Sequence, residues 1–136
     1  MPPFHYVDVR AFCYETEAEQ RVEDALRLFL PEETDLERAV TEGHHGDRIV
    51  VLSARVERAD EVRTALDALA DSPDMDRIRS ELDERIDEDC SLFLHLDKQA
   101  AAQGDVRLGE GIHFRAKVEA YPAKKEFAVE NARDAL

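Results

Sequence analysis

The sequence predicts an α+β sandwich, in which one mainly antiparallel sheet carries helices on one of its faces. Several segments alternate apolar and polar residues with a period of two, as half-buried strands do, and others carry apolar residues at helical spacing. The chain has 136 residues, the usual size of one domain, and 43% of them are hydrophobic. We therefore expect a single domain over residues 1–136.

The N-terminal segments predict a strand followed by a helix. Apolar and polar residues alternate over residues 4–13, which predicts the first strand. Thr16, with Glu19 three residues later, forms a capping-box pattern, and apolar residues then recur at helical spacing until Pro31. The predicted helix covers residues 17–30.

A β-hairpin is predicted next. Residues 43–47 (GHHGD) are rich in turn formers. Residues 36–41 predict a short strand before the turn, and residues 48–58 predict a longer strand after it, with the strongest alternation in the chain. The two strands are expected to pair with each other.

The C-terminal half predicts two helices, two strands and a last helix. The helices cover residues 60–70 and 74–87 and are separated by Ser72-Pro73. A strand is predicted at residues 91–97, followed by a short helical turn at residues 98–103.

A second strong strand covers residues 112–119, where apolar and charged residues alternate. Pro122 is expected to start the final helix, because a proline at the first helical position loses no required N–H.

The charge of the chain is strongly acidic. The 18 Lys and Arg residues stand against 32 Asp and Glu, a net charge of −14, which argues against an ordinary nucleic-acid binder on charge alone. Only four of the basic residues are lysines, and this composition is typical of proteins from a haloarchaeal cytoplasm. At a salt concentration of about 1 M the Debye length is about 3 Å, so net charge then says little about partners.

The two cysteines, Cys13 and Cys90, are far apart and have no metal-ligand spacing, so we expect both to be reduced and buried. The sequence shows neither a secretory-signal pattern nor an apolar run long enough to span a membrane, and we expect a cytoplasmic protein.

The search for a catalytic site is negative. The sequence has no glycine-rich phosphate loop, nucleophile elbow or zinc-protease motif, so we expect no enzyme activity, no cofactor and no metal. One alternative stays open: the acidic residues between 83 and 89 could hold Mg²⁺ in a metal-dependent phosphoesterase, although an acidic helix surface also explains them.

The basic residues are concentrated near the C-terminus. Residues 95–125 hold six basic and four acidic residues, whereas the rest of the chain holds 12 basic and 28 acidic ones. A basic segment of this kind, here called the basic island, is expected where a protein surface binds phosphates. Phe93, His95 and Tyr121 are neighbouring candidates for stacking on bases or for packing. The predicted RNA contacts here are Lys98, Arg107, His113, Arg115, Lys117, Lys124 and Lys125.

The His44-His45 pair is a secondary candidate for RNA contact. Adjacent side chains on an extended strand point in opposite directions, which disfavours a shared metal ion. A surface turn whose flanking glycines allow positive φ explains the pair equally well.

Several strings in fixed order resemble a known family. They are residues 9–12 (VRAF), 15–17 (ETE), 42–46 (EGHHG), 94–101 (LHLDKQAA) and 112–122 (IHFRAKVEAYP). With these the chain resembles an archaeal family of predicted RNA-binding proteins, or predicted exosome subunits, with a double-stranded-RNA-binding-like fold comparable to large-subunit ribosomal protein five.

The resemblance implies a non-enzymatic RNA-binding accessory protein associated with the exosome or other RNA processing, and it supplies no catalytic residues. We expect recognition of RNA shape and backbone. The alternative is an acidic module that binds proteins, or associates with itself through an exposed sheet face, and touches no RNA. A homodimer is the default oligomer, since such dimers are the commonest.

Overall fold

A five-stranded sheet forms the centre of the molecule in a computed structural model that describes residues 3–136. The sheet order is β2-β3-β1-β5-β4, and every neighbouring pair is antiparallel. The predicted α+β class is confirmed. The strands are β1 (Phe4–Tyr14), β2 (Glu37–Glu42), β3 (Arg48–Val56), β4 (Ser91–Asp97) and β5 (Gly111–Val118).

Six helices connect and cover the strands. Apolar side chains from them pack with one face of the sheet into a single core, in which Phe29 after the first helix meets Phe114 of β5 edge to face, with ring centroids 5.9 Å apart. Cys13 and Cys90 are free and buried, as the sequence predicts. The helices are α1 (Glu19–Arg27), α2 (Ala59–Ala70), α3 (Met75–Ser80), α4 (Leu82–Arg85), α5 (Lys98–Ala102) and α6 (Lys125–Ala135).

The strands have one buried and one open face. In β1, Val7, Val9 and Ala11 are buried, while the residues between them are not. Strands β3, β4 and β5 follow the same period of two over most of their length. We call the uncovered side the open face; the opposite side, beneath the helices, is the helix face.

The start of α1 differs from the capping-box prediction. The N-cap is Ala18, no side chain caps the helix, and Thr16 lies outside it. The carboxylate of Glu17 instead accepts a hydrogen bond from the backbone N–H of Tyr14 at 3.0 Å. Residues 14–17 therefore form a turn, and the helix begins after it, two residues later than predicted.

The helix predicted at residues 74–87 is two short helices. Glu81 separates α3 from α4 with φ −108° and ψ 14°, and Ile86 is already extended. The break nevertheless leaves Ile78, Leu82 and Ile86 buried in the core. Their helical spacing in the sequence therefore does not require one continuous helix.

The final helix begins at Lys125, three residues after the predicted start. The N–H of Lys124 donates to the carbonyl of Pro122 at 2.8 Å, which closes a turn, and Lys124 itself is extended. The proline therefore belongs to the preceding turn.

Lys98 ties three segments together. Its side chain is only 12% exposed, and its Nζ donates to the carbonyl of Phe12 at 2.8 Å and to Oε1 of Glu17 at 2.7 Å. Partial burial works to raise the pKa of Glu17, but the hydrogen bonds from Lys98 and the Tyr14 N–H outweigh it and lower this pKa below its ordinary value. The contact joins β1, the turn before α1 and the start of α5.

Replacing Lys98 tests this contact. We expect Lys98→Met to lower the free energy of unfolding by about 2 kcal/mol near neutral pH, because two charge-assisted hydrogen bonds are lost. A carboxylate with a lowered pKa stabilises the fold above its unfolded pKa and loses that contribution as the pH falls through its folded pKa. The difference between wild type and variant in urea unfolding should therefore shrink in acid. A difference that does not change with pH would contradict the Lys98–Glu17 pairing.

Candidate nucleic-acid interface

A row of four side chains crosses the open face. The strand register aligns Phe93 of β4 with Arg115 of β5, Arg115 with Asp8 of β1, and Asp8 with Arg55 of β3. Arg55 binds Asp8 through two hydrogen bonds of 2.6 and 2.9 Å. Asp8 and Arg55 therefore neutralise each other, and the charge of Arg115 is the one that remains in this row.

A second row lies two residues further along the strands. It runs from His95 through His113 and Arg10 to Ser53 and Glu37. The imidazole centroids of His95 and His113 are 4.7 Å apart. Basic or titratable groups thus occupy three adjacent strands.

Aromatic rings flank both rows. The guanidinium carbon of Arg55 lies 4.0 Å from the centroid of the Tyr6 ring, and that of Arg10 lies 5.5 Å from the Phe12 ring. The ring of Phe12 also meets His113 edge to face at 6.1 Å. These contacts orient the cations along the sheet surface.

Arg115 stands between two of these rings. Its guanidinium carbon lies 5.6 Å from the Tyr6 ring and 5.9 Å from the Phe93 ring, and one terminal nitrogen donates to the Tyr6 hydroxyl at 2.7 Å. Its Nε is buried and has no hydrogen-bond partner within residues 3–136. Arg115 is thus held in place by the two rings and the Tyr6 hydroxyl.

Arg10 is the exposed cation at the centre of the open face. No carboxylate lies within ion-pair distance of it in the described part of the chain. It is therefore available to an anion from outside.

A groove of about 580 Å³ runs over these rows. Its floor consists of β1, β3, β4 and β5, and Arg10, His95 and Arg115 are among its lining residues. Asp35 and Glu37 add carboxylates at the β2 side of the groove. The two carboxylates therefore lie at one end of the groove, and Arg10 and Arg115 lie nearer its middle and other end.

The acidic residues lie mostly outside the sheet. The five strands carry six Lys and Arg against four Asp and Glu, the six helices carry nine against 12, and the connecting segments carry three against 16. A chain with a net charge of −14 can thus present a sheet surface that is not itself negative.

The structure brings together three of the sequence-predicted contacts. His113, Arg115 and Lys117 alternate along the open face of β5, as the sequence predicts. Lys117 also donates a hydrogen bond to the carbonyl of Asp89. Phe93, predicted as a stacking group, is 42% exposed beside this row.

The other predicted contacts do not share this surface. The side chain of Lys98 is largely buried and binds the Phe12 carbonyl and Glu17. Arg107 is exposed in the segment before β5. Lys124 and Lys125 lie at the start of α6, in a shallow groove that also holds Asp83 and Glu88.

Two further predicted groups lie apart as well. His44 and His45 are exposed in the β2–β3 turn, at the edge of the sheet opposite β4, with ring centroids 5.0 Å apart. Tyr121 is 95% exposed in the segment after β5. The island seen in the sequence is therefore divided among several places.

Sequence reasoning missed the contributions of β1 and β3. Tyr6, Arg10, Phe12 and Arg55 are far from residues 95–125 in sequence and reach the open face through strand pairing. The alternation in residues 4–13 already places Arg10 opposite the apolar side chains. What the sequence lacks is the strand order that places β1 beside β5.

The electrostatic surroundings keep His113 neutral. Partial burial, and then the nearby His95 and Arg10, lower its pKa below the ordinary value, while Glu110 opposes them. The neutral imidazole is therefore favoured, and His113 takes up a proton at a lower pH than an ordinary histidine does.

No three His, Cys, Asp or Glu side chains within residues 3–136 come together in a way that could hold a metal ion. The acidic residues between 83 and 89 do not form such a group. Over the same residues, no helix has the length and apolar character needed to cross a bilayer.

Comparisons with known proteins agree with the fold. The structure of Mth689, a DUF54 protein from Methanothermobacter thermautotrophicus, superposes with a TM-score of 0.84 and is 41% identical over 98% of both chains. Protein AF2318 from Archaeoglobus fulgidus, another DUF54 member, has a TM-score of 0.85 and 28% identity, covering 98% of this chain and 99% of its own.

Sequence comparison leads to the same group. RNA-binding protein PAB1135 from Pyrococcus abyssi is 33% identical over 143 aligned positions, which cover 97% of this chain and 93% of that protein. A family model described as RNA binding matches residues 6–118. With most of its length matched, the chain belongs to this RNA-binding family.

Proposed function

We propose that the protein binds RNA on the open face of its sheet, with Arg10 and Arg115 contacting phosphates. The observation that carries the proposal is Arg10: a central, exposed guanidinium without a carboxylate partner among the described residues, flanked by imidazole and aromatic rings. Membership of the RNA-binding family and the name of the Pyrococcus abyssi relative support the choice of ligand.

The side chains of the open face suit single-stranded RNA. Guanidinium groups make strong, often bidentate hydrogen bonds to phosphate oxygens. Exposed rings such as Phe93 and His95 offer surfaces on which unpaired bases stack, and every base has a π-face. The sequence indicates recognition of RNA shape and backbone; the rings that β1 and β4 bring together add base stacking to that mechanism.

The remaining sequence-predicted residues have different roles in this proposal. Lys98 acts through the fold, because both of its described partners are internal. The other predicted residues would make peripheral contacts with RNA. They are Arg107, His44 and His45 in the β2–β3 turn, and Lys124 and Lys125 at the start of α6.

The sequence expectations of an association with the exosome or other RNA-processing machinery, a cytoplasmic location and a haloarchaeal source stay predictions. Co-purification of a tagged chain with RNA-processing proteins would test the first of them.

Removing the two arginines tests the site. We expect the double variant Arg10→Ala, Arg115→Ala to bind a labelled single-stranded RNA about tenfold more weakly or worse, and to lower the slope of log affinity against log salt by about 1.4, because two phosphate contacts are lost. The measurement is a fluorescence titration from about 0.2 to about 2 M KCl, with folding checked by circular dichroism.

Arg63→Ala provides the matched control. Arg63 is an exposed arginine on α2, without an ion pair among residues 3–136, so its loss changes the net charge without changing the open face. Equal losses of RNA affinity in Arg63→Ala and in the single variants Arg10→Ala and Arg115→Ala would indicate a general charge effect and contradict the site. So would full RNA affinity in the double variant.

RNA binding should depend on pH through His113. As the pH falls below the ordinary histidine pKa of about 6.5, His113 gains a proton beside the bound phosphates, so we expect the affinity to rise. The rise should extend to lower pH than that value, because the pKa of His113 is lowered in the free protein.

The variant His113→Asn is the control for this titration. It should remove most of the pH dependence, because it removes the imidazole whose pKa is lowered. A wild-type affinity that stays constant across this range would argue against a phosphate at His113.

A further inference from the structure

The two edges of the sheet differ in how they are covered. Beside β4, backbone bridges join Ile86 to Leu92 and Leu108 to Leu96, so both ends of that edge are partly paired. In contrast, β2 pairs only with β3 within residues 3–136, and all six of its residues are exposed, with Val40 at 54%. β2 is therefore the edge on which another strand can be added.

The hairpin geometry shows which backbone groups of β2 face outward. The N–H of Gly43 donates to the carbonyl of Asp47 at 2.6 Å, which makes these two residues a hydrogen-bonded pair. Hydrogen-bonded and non-hydrogen-bonded pairs alternate along an antiparallel ladder. In the register of β2 with β3, the backbone groups of Arg38, Val40 and Glu42 therefore point away from β3.

We propose that a second copy of this chain adds its own β2 to this edge, antiparallel, about a two-fold axis at Val40. In this register Val40 lies opposite Val40 of the second copy, and Arg38 lies opposite Glu42 of the second copy on both sides of the axis. All three outward-facing residues then form hydrogen-bonded pairs, each of which exchanges two backbone bonds.

The charges on β2 favour this register over its neighbours. A two-fold axis at Arg38 would place two arginines opposite each other, and one at Glu42 would place two glutamates opposite each other, which is destabilising. An axis between Ala39 and Val40 would set Glu37 against Glu42. Only the axis at Val40 uses the three outward residues and pairs opposite charges around an apolar centre. Because the edge complements itself in this way, the occupant is a second copy rather than another protein.

The dimer would have one continuous ten-stranded sheet, twice the five strands of a single chain. A two-fold axis perpendicular to the sheet keeps the open faces of both copies on the same side. The contact uses the edge of the sheet, unlike the face-to-face association considered from the sequence. It does not depend on RNA binding, and its test uses no RNA.

Sedimentation equilibrium of the full chain, over concentrations from micromolar to hundreds of micromolar, tests the proposal. We expect wild type to approach twice the 15.5 kDa mass of one chain. Glu42→Arg places an arginine opposite Arg38 at two symmetric positions, and should weaken the dimer about tenfold or more. The double variant Arg38→Glu, Glu42→Arg restores opposite charges and should recover the dimer.

The charge swap separates the interface from effects within one chain. Glu42 lies opposite Arg48 on β3, and Arg38 binds Glu19, so both changes disturb contacts inside the chain. Recovery in the double variant can then arise only between copies. Glu37→Arg, a charge reversal whose backbone groups face β3, is the control and should leave the dimer intact.

Amide hydrogen exchange locates the contact. With rising protein concentration, exchange at Arg38, Val40 and Glu42 should slow, while Ala39 and Thr41, already bonded to β3, should change little. A wild type that stays monomeric over the whole range would overturn the proposal. A dimer that is unaffected by Glu42→Arg, or protected elsewhere, would overturn it as well.

Discussion

Strand β1 holds the molecule together because it pairs along its length with β3 on one side and with β5 on the other. Its period of two assigns Val7, Val9 and Ala11 to the helix face and Asp8 and Arg10 to the open face. A shift of register by one residue would exchange the two sets. The core beneath the helices and the cationic surface above the sheet therefore depend on the same pairing.

The distribution of charge follows from this architecture. The connecting segments hold half of the acidic residues, while the open face brings cations from β1, β3 and β5 into adjacent rows. Of these cations, Arg55 is neutralised by Asp8 and Arg115 is oriented by Tyr6, whereas Arg10 keeps its charge available. The net charge of the whole chain thus gives little information about its central surface.

The sequence predicts the elements better than the site. Alternation identifies β1, β3, β4 and β5 because each has one face in the core, and the paired glycines identify the hairpin turn. The helix starts at Glu19 and Lys125 were predicted too early. The reason is that Glu17 and Pro122 form turns through contacts with distant or non-helical neighbours, which a local pattern does not record.

The candidate site was predicted only where it is local in sequence. Arg115 and Lys117 alternate within one strand and share one surface, whereas Lys98 is turned inward by Phe12 and Glu17 and Lys124 lies at a helix start. Arg10 joins the site through the antiparallel register of β1 with β5. Contacts of this kind depend on strand order, which residue spacing alone does not specify.

The central claim is that RNA lies on the open face. The most direct measurement is chemical-shift mapping on isotope-labelled protein during titration with a short single-stranded RNA. The account predicts that the largest changes occur at Arg10, His95, His113 and Arg115, with little change on α2. Changes confined to the start of α6 or to the β2–β3 turn, or no changes at all in the folded protein, would contradict it.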